Sequence, residues 1–337
     1  MSEIQALAAH APGGALHPFT YELGPLGPDA VEIAVINSGL CHSDLSMLDD
    51  AWGMTAYPFV PGHEVVGTVA AVGERVTGLE LGQKVGLGWH AGYCRTCPQC
   101  LSGRHNVCPE AEMTIVGRHG GFADRVRAQA TAVVPLPPEL DAATAGPLLC
   151  AGITVFNALR QFDVKPTDRV AVVGIGGLGH LALQFMAAWG CAVTAFTSSA
   201  GKRAEALELG AHDTVDSRDP DALAAAAGRF DFVLSTVDVK LDWNAYLQTL
   251  RPHGRLHLVG VTSEPLDLSV VPMLFGQRSV SSSPVGPPAE LATMLDFAAR
   301  HGIAPVVERF AMADANAAFA HLRAGKARYR VVLDAAA

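Results

Sequence analysis

Residues 169–185 read RVAVVGIGGLGHLALQF. The apolar run Val170 to Val173 leads into the turn Gly174-Ile175-Gly176-Gly177-Leu178-Gly179, and a helix-forming segment follows at once. A strand, a glycine-rich turn and a helix in that order open a doubly wound parallel sheet. Each glycine then has a separate job: Gly174 makes the tight turn, Gly176 lets a pyrophosphate approach the backbone, and Gly179 lets helix and strand pack closely. Gly177 and Leu178 complete the turn, where the helix N-terminus offers free N–H groups to phosphate. A glycine-rich turn alone can serve packing, but between a strand and a helix it predicts dinucleotide binding.

The alternation continues downstream. A helix over about 178–189 is followed by strand CAVTAFT (191–197) and a helix through KRAEALELG (202–210). HDTV (212–215), FDFVLSTV (230–237), RLHLVGV (255–261) and RSVSSS (278–283) follow at intervals filled by helices or turns. This pattern gives an α/β domain with a parallel sheet over residues 152–286. Upstream the grammar differs. Short runs such as VEIAVIN (31–37), EVVGTVAAVG (64–73) and FADRVRAQATAVVPLP (122–137) are broken by Gly and Pro, without long helical periodicity. YRVVLD (329–334) reads as a strand able to rejoin this first part. Residues 1–151 and 287–337 are therefore expected to form one discontinuous β-rich domain enclosing the nucleotide-binding one.

With 337 residues, half of them apolar, the chain can bury two cores. A net charge of -9 argues against nucleic acid or an anionic membrane as partner. No apolar run approaches the roughly 20 residues needed to span a bilayer, and the N-terminus has no secretory pattern. Seven cysteines, an odd number, fit reduced thiols in a cytoplasm better than a disulfide framework.

Four of them lie in CRTCPQCLSGRHNVC as Cys94, Cys97, Cys100 and Cys108. Such crowding suits a closed tetrahedral zinc site. The rivals are a disulfide pair and an iron–sulfur cluster, but a bacterial ferredoxin run places its fourth cysteine closer. A closed four-sulfur site supports a scaffold and performs no chemistry.

Two further features concern reactivity. The strand after the glycine turn ends in Thr197-Ser198-Ser199, with Lys202 and Arg203 behind. NAD binders usually carry an Asp or Glu about there, accepting from the ribose 2′-OH. Hydroxyls and cations without a carboxylate predict NADP(H), with NAD(H) the weaker alternative. Cys41, His63 and Cys150 are the second feature: two Cys, one His and an open position are one arrangement of catalytic zinc. Taken singly, each could equally be a core residue, and spacing does not join them.

With these residues in place, the chain resembles the zinc-dependent medium-chain alcohol dehydrogenases, in their cinnamyl-alcohol-dehydrogenase-like branch. CHSDL, PGHEVVGTVAAVG, the four-cysteine lobe, LLCAGITV and GIGGLGHLALQ keep the family's order and separations nearly end to end. The resemblance implies a GroES-like fold for the discontinuous domain and a Rossmann fold for the other. It implies two zinc ions: a catalytic one on Cys41, His63 and Cys150, with Glu64 able to swing onto it, and a structural one on the four-cysteine lobe. Asp44 would orient His63, Ser43 would exchange a proton with the substrate hydroxyl, and Trp89 would line the substrate pocket. His42 would approach the cofactor pyrophosphate and Thr154 the nicotinamide. One departure stands out: Ser46 occupies the place where the family often keeps a His at the solvent end of the proton relay.

The activity so implied is hydride transfer between NADP(H) and small or medium primary alcohols or aldehydes, aromatic or aliphatic. A polyol or amino-alcohol dehydrogenase is the alternative on the same scaffold. A zinc-free quinone reductase would lack the cysteine and histidine constellations, and a non-enzymatic binding protein would not need them. Strand RSVSSS, at the far edge of the sheet, could pair across a two-fold axis as in relatives, so a homodimer or homotetramer is expected.

Overall fold

The computed structural model describes residues 2–199, 201–262 and 264–335. Backbone contacts divide the chain into two units, Met1–Ile153 with Val285–Ala337, and Thr154–Pro284. The division falls inside a helix and lies two residues from each boundary expected from sequence.

The first unit opens with an antiparallel hairpin, β1 (Ser2–Ala8) and β2 (His17–Leu23). Then come β3 (Ala30–Leu40), α1 (His42–Leu48), β4 (Glu64–Val72) and β5 (Lys84–Leu87). The small ladder β6 (His90–Gly92) and β7 (Glu112–Met113) brackets the cysteine lobe, whose short helix α2 is Pro98–Leu101. Strands β8 (Arg125–Gln129) and β9 (Val133–Pro135) complete the N-terminal part, and α3 (Ala151–Gln161) runs across the division.

In the second unit β10 (Arg169–Val173), β11 (Ala192–Thr197), β12 (Asp213–Asp216), β13 (Phe230–Ser235), β14 (Leu250–Leu258) and β15 (Ser279–Ser282) form one sheet. All pair in parallel, in the order β12-β11-β10-β13-β14-β15, the strand order of a dinucleotide-binding sheet. Parallel strands are covered on both faces, which is why Val170 to Val173 are all buried. The connecting helices are α4 (Gly179–Trp189), α5 (Gly201–Glu208), α6 (Pro220–Ala225), α7 (Trp243–Thr249) and α8 (Val270–Gly276). Gly190 ends α4 at φ +103°, a left-handed closure that favours glycine.

The chain then returns to the first unit through α9 (Pro288–His301), β16 (Val307–Ala311), α10 (Ala315–Arg323) and β17 (Arg330–Asp334). The main sheet there runs β16-β17-β3-β4-β5-β9, with β8 also on β3. Strand β17 lies antiparallel to β3 with Val331 opposite Leu40, which brings Arg330 beside Cys41. Among the described residues no helix is long and apolar enough to cross a membrane.

Candidate active site

Register builds the site. Strands β3 and β4 pair with Gly39 opposite Glu64, so Cys41, just past the end of β3, and His63, just before β4, come out at the same end of the sheet. The tight turn Gly146–Leu149 delivers Cys150 to the same place. The potential ligand atoms of Cys41, His63, Glu64 and Cys150 all lie within 4.8 Å of one another, and all four residues are buried.

Asp44, in the first turn of α1, organises this cluster. Its Oδ2 accepts from the Cys41 backbone N–H at 2.9 Å, and its Oδ1 accepts from Gly62 N–H at 2.8 Å. The same Oδ1 takes the Nδ1–H of His63 at 3.1 Å. That bond turns His63 Nε2 toward Cys150 Sγ, 3.3 Å away. The hydroxyl of Ser43 sits 3.8 Å from Cys41 Sγ.

Electrostatics fit metal binding. The hydrogen bond from Cys150, with Arg330 and His63 close by, holds the Cys41 thiol well below its ordinary value. The same bond and burial push Cys150 well above it. Burial opposes charge on His63, yet Asp44 keeps its pKa well above the usual imidazole value. Burial also lifts the Glu64 carboxyl to about 7, although Arg330 pairs with its Oε1. Glu64 Oε2 is buried with no partner. Two thiols, an imidazole nitrogen and a partnerless carboxylate oxygen form a donor set that suits zinc.

The four-cysteine lobe is equally prepared. Cys108 Sγ lies 3.5 Å from Cys94 Sγ and 3.8 Å from Cys97 Sγ, and Cys94 Sγ lies 3.9 Å from Cys100 Sγ. Backbone N–H groups of Cys97 and Cys100 point at the sulfurs of Cys94 and Cys97. N–H groups of Thr96 and Cys97 lower the Cys94 thiol to about 6.

Trp89 lies edge-on to His63, ring centroids 5.0 Å apart. Trp52, which sequence reading passed over, packs against Trp89 at 6.3 Å. Its only sequence signal was an aromatic a few residues beyond α1, in a loop without periodicity. His42 is exposed at the start of α1, and Ser46 is half-buried one turn on. Thr154 is buried on α3.

In the second unit the glycine turn is as tight as its sequence demands. A Cβ on Gly179 would lie 1.9 Å from the Gly174 carbonyl oxygen, whereas a Cβ on Gly176 would meet open space. That pattern, close packing at one glycine and an open backbone at another, fits a bound pyrophosphate. Leu178 caps α4, and Gly177 is half-buried beside it. At the end of β11 Thr197 is buried, Ser198 exposed and Ser199 half-buried. Lys202 Nζ donates to the Ile175 carbonyl at 3.0 Å, reaching back onto the turn. The expectation that no carboxylate stands near this strand end needs correction. Strand β12 places Asp216 directly beside Thr197, and Asp216 pairs with Arg203.

The family described as "Alcohol dehydrogenase GroES-like domain" matches residues 27–138, and "Zinc-binding dehydrogenase" matches residues 177–300. An aldehyde reductase of Synechocystis sp. is 62% identical over 98% of each chain. The chain belongs to the zinc-binding medium-chain alcohol dehydrogenases. Among solved structures, a cinnamyl alcohol dehydrogenase of Sorghum bicolor superposes with a TM-score of 0.95 at 37% identity, covering 99% of this chain and 98% of that one. CAD from Helicobacter pylori, solved in complex with NADP(H), gives 0.91 at 29% identity and 98% coverage of each. This dehydrogenase thus combines a GroES-like unit with a Rossmann unit, and alcohol and aldehyde oxidoreduction is the chemistry of its relatives.

Proposed function

We propose that this dehydrogenase interconverts primary alcohols and aldehydes, aromatic or medium aliphatic, with NADP(H) preferred over NAD(H). The observation that carries the reading is the convergence of Cys41, His63, Glu64 and Cys150 within 4.8 Å, beside a serine hydroxyl and an aromatic wall. Cys41, His63 and Cys150 would hold a catalytic zinc, and Cys94, Cys97, Cys100 and Cys108 a structural one. Zinc so held supplies Lewis acidity to the substrate oxygen, and the nicotinamide supplies or accepts the hydride.

The chain's own residues do the rest. Asp44 locks the His63 tautomer that leaves Nε2 free to ligate. Ser43 gives or takes the hydroxyl proton of the substrate, and Ser46, half-buried like Ser43, stands one turn further along α1. A hydroxyl there does not titrate near neutrality, unlike imidazole. Arg330 holds Glu64 beside the cluster. Trp52 and Trp89 favour a flat, apolar substrate. A polyol would need hydrogen-bonding groups in their place, and the named activities of the relatives support the aldehyde reading. His42, Thr154, the turn 174–179, Thr197, Ser198, Ser199, Lys202 and Arg203 would bind the dinucleotide.

The protein is read as a cytoplasmic homodimer or homotetramer. Strand β15 is an edge of its sheet, and α8 leaves Val270, Val271, Leu274 and Phe275 exposed, Phe275 by 85%. Such apolar exposure suits a second copy of the chain.

The test is bound zinc per chain together with NADPH-dependent reduction of aromatic, aliphatic and polyol-derived aldehydes. Two zinc ions with turnover are expected, and Cys150→Ala should keep one zinc and lose turnover. One zinc and no turnover in the wild type would sink the two-site reading.

A further inference from the structure

The cofactor end of β11 holds a carboxylate that sequence-local reasoning does not find. Strands β11 and β12 run in parallel with Thr197 opposite Asp216, so the last residue of β12 stands next to the strand end that meets the adenosine ribose in this fold. Both Asp216 oxygens are engaged. Oδ2 accepts from Arg203 Nη2 at 2.9 Å, and Oδ1 accepts from the Arg218 backbone N–H at 2.9 Å. The pair is partly solvated, with Arg203 43% and Asp216 34% exposed, and Arg203 Nε is buried with no partner. One of the two cations assigned to a 2′-phosphate is therefore already balanced by a negative charge fixed in the sheet.

We propose that Asp216 is a specificity-determining residue that limits the preference for NADP(H) over NAD(H). The inference rests on the NADP(H) reading above. A 2′-phosphate beside Arg203 must share the guanidinium with Asp216 and tolerate a second anion next to its own charge of about −1.5 to −2, by analogy with other phosphate monoesters. A free 2′-hydroxyl pays neither penalty. Removing the carboxylate charge while keeping its shape therefore raises discrimination in favour of the phosphate. For a partly solvated pair the rise is roughly 3- to 10-fold, and salt weakens it.

The experiment is calorimetric binding of adenosine 2′,5′-bisphosphate and adenosine 5′-monophosphate to wild type, Asp216→Asn, Arg203→Ala and the double variant, at low and high salt. The expected result is a wild type that prefers the bisphosphate, a larger preference in Asp216→Asn, and a smaller gain when Arg203 is also absent, since only the repulsion between the two anions is then relieved. A wild type that binds both ligands equally would overturn the NADP(H) reading, and this inference with it. A wild type that discriminates, with an unchanged or lower ratio in folded Asp216→Asn, would overturn the role of Asp216 alone. Should Asp216→Asn fail to fold, Asp216→Ser carries the same charge test. The ratio of two affinities is a readout that a purely structural role for Asp216 would not move.

Discussion

Replacing Gly39 with alanine tests how Glu64 is housed beside the cluster. Gly39 lies in β3 without a left-handed backbone, so alanine meets no conformational obstacle there. What it meets is the side chain across the ladder. The new Cβ would stand 2.0 Å from Glu64 Oε2, 2.9 Å from its Cβ and 3.0 Å from its Cδ. These are atoms of a side chain, so the carboxylate must leave its place, and leaving it breaks the contact with Arg330. Arg330 is 4% exposed, and what then remains near it in the cluster is Cys41, with its Sγ at 3.9 Å, and Cys150.

Stranding one partner of a buried ion pair costs about 3–5 kcal/mol. For a domain of 150–250 residues each kcal/mol lowers Tm by about 2–4 °C, so Gly39→Ala should melt roughly 6–20 °C below wild type. Scanning calorimetry of Gly39→Ala, Glu64→Ala and the double variant gives the assay. With Glu64 shortened, the carboxylate is gone and the alanine at 39 should cost much less, a coupling of about 1–3 kcal/mol. Melting of Gly39→Ala within about 2 °C of wild type, an effect near 1 kcal/mol or less, would refute the packing argument. Strict additivity of the two substitutions would refute it equally.

Other consequences are directly measurable. His257 is buried between Ser281 and Ser283, at 2.9 and 3.0 Å, and burial, with Arg255, lowers its pKa to about 4. The unfolded chain therefore binds a proton that the native one refuses, and about 3 kcal/mol of stability should be lost as pH falls from about 6.5 to about 4; His257→Gln should flatten the urea-unfolding free energy over that window. Trp52→Ala removes one aromatic wall and should lower kcat/KM for benzaldehyde roughly 2- to 10-fold while leaving butanal nearly unchanged; an equal loss for both would count against a pocket role. Phe275→Asp places a charge on the exposed face of α8 and should leave a folded monomer by sedimentation, whereas an unchanged oligomer would place the interface elsewhere. With Ser46 in the relay, kcat/KM should lack the inflection near pH 6.5 that an imidazole gives, and a sharp one that survives His42→Ala would count against this.

What the sequence revealed and what it hid divide along a physical line. The glycine turn and the cysteine lobe were legible because their chemistry is local: Gly174 to Gly179 act within one turn, and Cys94 to Cys108 within one loop. The central Rossmann strands, such as Val170 to Val173, were legible because parallel strands covered on both faces read as unbroken apolar runs. The N-terminal hairpin was not read, since β2 is largely exposed and carries too little apolar pattern. The site itself was legible only in part. Cys41, His63 and Cys150 could be joined by resemblance but not by spacing, since β3, β4 and a separate turn bring them together. Arg330 and Asp216 were invisible for the same reason. Each is an ordinary charged residue at a strand end, and each acquires its role from a neighbour fixed by register. Val331 opposite Leu40 puts Arg330 against Glu64, and Asp216 opposite Thr197 puts a carboxylate against Arg203. A motif search limited to residues close in sequence must therefore miss these charged pairs, because a sheet sets such partners across strands far apart in the chain.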